Sequence, residues 1–115
     1  MFQYTAKVLE VIDGDTLDVS IDLGFNVQHT LRVRLYGINT PETRTRNKEE
    51  KQKGLAAKQR LKDLIEGKLV LIKTKKDEKE KYGRYLAEVY LDETNINKTL
   101  IAEGHAQEYF GEKRP

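Results

Sequence analysis

"VIDGDTLDVSID" (residues 11–22) decides how the rest of the chain is read. Asp13-Gly14 between apolar residues is a strong hairpin signal, since both residue types adopt the positive φ that a tight type I′ turn requires. Beyond it, Leu17, Val19 and Ile21 alternate with Asp18, Ser20 and Asp22, so the strand turns its odd-numbered face to a core. Asp15 shares that parity. A carboxylate at the head of a buried row is costly unless something pairs with it. The pattern therefore asks what Asp15 faces.

Working outward, strand-like segments fall near 4–12, 15–22 and 28–36, joined by Asp13-Gly14 and by Gly24-Phe25-Asn26. Pro41 ends this three-strand meander, because proline cannot donate to a ladder. From 47 to 66 the period becomes helical: Ala57, Leu61, Leu64 and Ile65 share a stripe, and Gly67 is placed to cap the C-terminus. "KLVLIKT" (68–74) reads as a fourth strand and "YLAEVYL" (85–91) as a fifth, with Ala87 and Val89 inward. A short helix is expected over 96–103, closing at Gly104. The charged run "KTKKDEKEK" (73–81) between strands four and five is too polar to pack and reads as a mobile loop.

Five strands with a helix inserted after the third make a mainly β, α+β chain. A five-stranded OB-fold Greek-key barrel fits that order, with a short C-terminal helix, because a small closed barrel leaves few bare edges. At 115 residues one domain, 1–115, is expected.

Composition narrows the chemistry. Cysteine is absent, which excludes disulfides and thiolate metal sites, and with only His29 and His105 a histidine-rich metal centre is not expected. Any metal would be a hard, oxygen-bound one. No stretch approaches the roughly 20 apolar residues of a membrane span. "MFQYTAKVLEV" enters a strand pattern at once, so no signal peptide is expected and a cytoplasmic location is favoured, with secretion left open. The net charge of +2 hides a division. Residues 1–30 hold one lysine and five acids, a balance of −4, whereas residues 44–62 hold eight bases and two acids, a balance of +6. A basic surface beside an acidic pocket suits a polyanion handled together with a cation. Taken alone, the basic stretch also fits a solvated helix face.

Four clusters call for one explanation: "DGDT" (13–16), "RVRLYGINTPET" (32–43), the basic helix, and "EKYGR" (80–84). Each has an ordinary account. "DGDT" fits a hairpin with surface acids. "NTPET" fits a helix start, with Thr40 as N-cap and Pro41 at the first helical position. "YGR" fits a turn entering strand five.

Together, "VIDGDT", the pattern R-x-x-x-x-[DN]-TPE and "KYGR" resemble the staphylococcal-nuclease-like domain family, in the family's order and near its spacings, over residues 7–110. The resemblance implies an OB-fold barrel and a calcium-dependent nuclease acting on DNA and RNA. It carries the family's active site onto Asp15, Arg34, Asn39, Thr40, Glu42 and Arg84. Asp15 would be a direct Ca2+ ligand, with Asn39, and Thr40 would contribute its backbone carbonyl. Glu42 matches the general base for the attacking water, and Arg34 and Arg84 match the guanidiniums that hold the scissile phosphate. Lys81 and Tyr82 match substrate contacts, and Asp13 matches an acid near the metal that is not its principal ligand. Unpaired regions of nucleic acid would be favoured, and a monomer without membrane association is expected. Arg32, of the same parity as Arg34, is read as a surface charge.

Two departures matter. The family usually has Asp where this chain has Asn39, which removes one negative charge from the metal's surroundings, and calcium affinity follows ligand charge. A weaker site and a retained but reduced activity are expected. Near the C-terminus, Phe110 falls where a nucleotide-contacting Tyr often sits, with Tyr109 adjacent, and little room is expected for the family's last helix. The alternative is a non-catalytic OB module that binds nucleic acid through a basic groove and stacking aromatics. Asn39 favours that alternative. Glu42 beside two arginines favours the enzyme, on the expectation that it is a buried acid.

Overall fold

The computed structural model of the protein describes residues 2–75 and 83–109. In chain order the elements are β1 (Phe2–Asp13), β2 (Thr16–Asp22), β3 (Gln28–Leu35), β4 (Ile38–Asn39), α1 (Lys48–Ile65), β5 (Leu69–Thr74), β6 (Tyr85–Leu91), β7 (Thr94–Asn95), α2 (Ile96–Ala102) and β8 (Gln107–Glu108). The five long strands lie in the order β3-β2-β1-β5-β6, all neighbours antiparallel. The sheet closes through a parallel pairing of β3 with β6, Val33 opposite Tyr85 and Leu35 opposite Ala87. The result is a five-stranded closed β-barrel with two helices, mainly β, as the OB-type expectation required. Among the described residues no helix is long and apolar enough to cross a membrane.

Closure depends on β1. Its first half pairs with β5 and its second half with β2, and its register shifts between Val8 and Glu10 and again between Val11 and Asp13. Such irregularities bend and twist a strand, which lets one long strand serve two sides of a narrow barrel. The interior is filled by alternate side chains: Val8, Val11, Leu17, Val19, Val33, Leu35, Ile72 and Val89 are all essentially inaccessible. Helix α1 lays Leu61 and Ile65 on the same core and buries Ala57 one turn earlier beside Gly14, at the helical spacing read from the sequence. Burying each large apolar side chain contributes about 1.5–3 kcal/mol.

Two sequence expectations are corrected. The tight turn of the first hairpin is Gly14-Asp15, since Asp13 pairs with Thr16, and none of residues 13–15 has positive φ. The irregularity beside Asp13 supplies the twist that a type I′ turn would otherwise bring. Gly14 is glycine for a different reason. A Cβ there would stand 2.8 Å from Ala57 Cβ and 3.0 Å from Thr40 Oγ1. Nor does "NTPET" begin a helix: α1 starts at Lys48, and Asn47 caps it by accepting from Glu50 N at 3.1 Å. Of the expected loop at 73–81, Lys73 and Thr74 belong to β5, and residues 76–82 lie outside the described residues.

Candidate active site

The first hairpin delivers Asp15 to one end of the barrel. Its backbone carbonyl accepts from Leu35 N at 2.8 Å, which locks it beside the end of β3. The residue is only 9% exposed, and its carboxylate has three donors. Thr16 Oγ1 donates to Oδ1 at 3.1 Å, Thr40 N donates to Oδ2 at 3.3 Å, and Arg34 Nη2 stands 3.5 Å from Oδ2. The question posed by its parity is answered in part: Asp15 faces a hydroxyl, a backbone amide and a guanidinium.

Arg34 organises the other side. Its Nη1 donates to Leu35 O and to Ile38 O, both at 3.1 Å, and so closes the turn through Gly37 that carries β3 into β4. Gly37 has φ +80°, a conformation that favours glycine over any residue with a Cβ. Nη2 donates to Asn39 Oδ1 at 3.4 Å. One guanidinium thus joins Asp15 and Asn39. Strand β4 is held in turn by β8, with Asn39 opposite Gln107.

Arg84 lies one residue before β6. Because β3 and β6 run parallel with Val33 opposite Tyr85, Arg84 and Arg34 come from adjacent strands, two positions out of register. Arg84 is half-buried and its side chain is engaged. Glu42 is exposed, which corrects the expectation of a buried acid. It follows Pro41 on the loop leaving the site, with its backbone against Gly54 of α1 and its side chain engaged. Lys81, Tyr82 and Phe110 lie outside the described residues. Arg32 is the expected surface charge, paired with Asp18 at 2.8 Å. That pairing holds its guanidinium above the usual arginine range.

The loop of residues 40–47 is fixed by contacts that periodicity does not reveal. Thr43 Oγ1 donates to Asp13 Oδ1 at 2.6 Å, Asn47 N donates to Thr45 Oγ1 at 3.2 Å, and Thr45 Oγ1 reaches Glu50 Oε2 at 3.5 Å. Gly54 of α1 lets the loop pack on the helix: a Cβ there would lie 2.6 Å from Glu42 O and 2.7 Å from Pro41 O. Sequence patterning does not single out Thr16, Thr43 or Gly54, and it reads Gly14 only as a turn residue. The only local hint was the threonine that follows the acid in both "DGDT" and "TPET".

Asn39, Thr40 and Pro41 also wall an open cleft of about 640 Å³, closed on its other sides by α1 and by residues 104–107. The lysines of α1 do not form one patch. At 100° per residue, Lys48, Lys51 and Lys58 share one flank, whereas Lys53 falls on the other and lines the cleft.

Comparison with known proteins agrees with the fold. Residues 32–115 match the family model described as staphylococcal nuclease homologue. The chain is 37% identical over 108 residues to a thermonuclease of Staphylococcus hyicus, covering 94% of this chain and 61% of that protein. It is 40% identical over 97 residues to the endonuclease YncB of Bacillus subtilis, covering 84% of this chain and 44% of the other. An SPbeta prophage-derived endonuclease, YokF, of the same organism is 39% identical over 97 residues, covering 84% of this chain and 31% of its own length. The chain therefore spans between a third and three fifths of the length of these curated relatives. With nearly three quarters of its residues under one family model, the chain belongs to the staphylococcal nuclease homologue family.

Proposed function

We propose that this chain is a calcium-dependent nuclease that hydrolyses phosphodiester bonds of DNA and RNA, acting on unpaired regions as a monomer. The observation that carries the reading is the position of Arg34, with Nη1 fixed by two backbone carbonyls and Nη2 set between Asp15 and Asn39. The contacts of Nη2, at 3.4 and 3.5 Å, are the longer ones, and they are the ones a phosphate oxygen would replace. A planar guanidinium then offers an edge that can hold two phosphate oxygens. Arg84, from the adjacent strand, would hold the same group.

The ligands proposed for calcium are all oxygens: the Asp15 carboxylate, the Asn39 amide oxygen and the Thr40 carbonyl. That set fits a hard divalent ion, and with a single formal charge among the three it fits calcium weakly. Calcium, when bound, would neutralise phosphate charge and polarise the attacking water. Thr16 Oγ1 and Thr40 N orient the Asp15 carboxylate. In the reaction, water oxygen forms the new bond to phosphorus and the bond to the leaving ester oxygen breaks. Glu42 takes the proton of the water, and the leaving oxygen is protonated from solvent. Glu42 is exposed, so burial does not argue for this role; its place two residues beyond Thr40 and its open path for the proton to bulk water do. Arg34 and Arg84 stabilise charge that develops on the equatorial oxygens. Lys81 and Tyr82 complete the proposal as substrate contacts.

Digestion of single- and double-stranded DNA and RNA with calcium, then with excess chelator, tests the reading. Cleavage that needs calcium and is faster on single strands is expected. Magnesium should support less turnover, because it holds its waters firmly and demands octahedral geometry. Undiminished cleavage in chelator overturns the metal assignment. Binding without cleavage in any condition leaves the OB binding module, the reading that Asn39 favours.

A further inference from the structure

The arginines of the described residues divide by their surroundings. Arg32 is paired with Asp18, Arg60 with Glu103 at 2.6 Å, Arg34 is built into the site, and Arg84 is engaged. Arg44 and Arg46 differ. Both are exposed, and among the described residues neither guanidinium has an ion-pair or hydrogen-bond partner.

These two side chains stand on a loop that is otherwise held. Thr43, Thr45 and Asn47 alternate with them, and each of the three is bonded: Thr43 to Asp13, Thr45 to Asn47 N and Glu50, and Asn47 to the first turn of α1. The intervening arginines project to solvent. No acid among the described residues forms an ion pair with either, and Glu49 and Glu50 line a cleft to which neither arginine contributes. Arg44 lies two residues beyond Glu42, within about 7 Å along the chain. An anchored backbone with two uncommitted guanidiniums keeps the ordering cost of binding a polyanion low.

We propose that Arg44 and Arg46 form a second phosphate subsite, gripping the sugar–phosphate backbone of the nucleic acid at least one nucleotide away from the phosphate held at Arg34. The inference rests on the nucleic-acid reading of the site. It assigns to this pair the preference for a long strand over a short one. The guanidiniums contact phosphate and carry no base preference.

The test compares wild type with the double variants Arg44→Gln/Arg46→Gln and Arg44→Lys/Arg46→Lys, on a single-stranded DNA 12-mer and on a dinucleotide. With calcium, the glutamine pair should raise KM for the 12-mer five- to tenfold, leave kcat within twofold, and change KM for the dinucleotide by less than twofold. The lysine pair should recover part of the loss. In excess chelator, Kd of the 12-mer should rise in parallel, and its dependence on log salt should flatten by about 1.4, from about 0.7 per lost contact. An unchanged KM and salt slope for the 12-mer overturns the subsite, as does an equal loss on the dinucleotide. If wild type binds the 12-mer but cleaves nothing, the nuclease reading fails while the salt slope still decides the arginines. If wild type does not bind the 12-mer, both fail.

Discussion

Arg34 Nη2 stands 3.5 Å from Asp15 Oδ2, while Nη1 of the same guanidinium closes the turn after β3 through two backbone carbonyls. Arg34 thus has a half that holds the turn and, in the proposed reaction, a half that would hold phosphate. Arg34→Lys removes both. The reaction should slow by about two orders of magnitude, from roughly 3 kcal/mol of lost transition-state contact. Stability should also fall by about 2 kcal/mol, the scale of losing a charge-assisted hydrogen bond. Arg84→Lys and Glu42→Gln should slow the reaction with less effect on stability. Single-turnover rates and urea unfolding of the three variants check this. Near-normal turnover in all three would indicate a binding module.

Asn39 shares Arg34 Nη2 with Asp15, its Oδ1 accepting at 3.4 Å. If both side chains ligate calcium, Asn39→Asp restores a charge where the ion binds. Attraction between a unit charge and a divalent ion at contact is several kcal/mol even at an effective dielectric near 20, before desolvation is subtracted. A net gain of about 1–2 kcal/mol, roughly tenfold in affinity, is expected. Asn39→Ala should weaken binding by removing the oxygen. Calorimetric calcium titration, with the calcium-induced shift in Tm as a second readout, decides it. Equal titrations in wild type and both variants would place Asn39 outside the metal's ligands.

What could be read from sequence was what depends on local period. Leu17, Val19 and Ile21 point inward, and Ala57, Leu61 and Ile65 line the buried face of α1, because alternation and the helical repeat are written in consecutive residues. Asp15 stands out for the same reason: its parity conflicts with its charge. Contacts between distant segments were not legible. Gly14 looked like a turn glycine, yet its requirement comes from Ala57 and Thr40. The sequence suggests a buried acid at Glu42, but its exposure follows from a loop that leaves the barrel before α1 begins. The two-residue pairing of β4 with β8 is too short to leave a pattern, though it backs Asn39.

Arg60 bonds Glu103 through two nitrogens, at 2.6 and 2.9 Å, and ties α1 to the end of α2. That bond holds the Glu103 carboxyl below its ordinary value of 4.5. A depressed folded-state pKa contributes stability that is present above the unfolded value and lost as pH falls through the folded one. Both groups are partly exposed, so salt should weaken the effect. The Tm difference between wild type and Arg60→Gln should therefore be largest near neutral pH, shrink below about pH 4.5 and shrink again in high salt. A difference that persists in acid would assign the contribution to packing of the Arg60 stem.

Gly54 sets two effects of opposite sign against each other. In a helix interior, alanine is favoured over glycine by about 1 kcal/mol, so Gly54→Ala would ordinarily stabilise α1. Here the new Cβ would lie 2.6 Å from Glu42 O and 2.7 Å from Pro41 O, backbone atoms that yield only if the loop moves. Overpacking of this kind costs about 1–3 kcal/mol, which outweighs the propensity gain. The variant should lose about 1–2 kcal/mol of stability. Displacing Pro41 and Glu42 should also cut kcat, since a shift of about 1 Å in a positioning segment can cost on the order of a hundredfold. Gln52→Gly, on the exposed face of the same helix, serves as the control. It should cost roughly 1 kcal/mol through propensity alone and leave kcat intact. Urea unfolding and steady-state rates measured together separate the two effects. A more stable and fully active Gly54→Ala would mean that the loop gives way freely, and that Gly54 does not hold Glu42 in place.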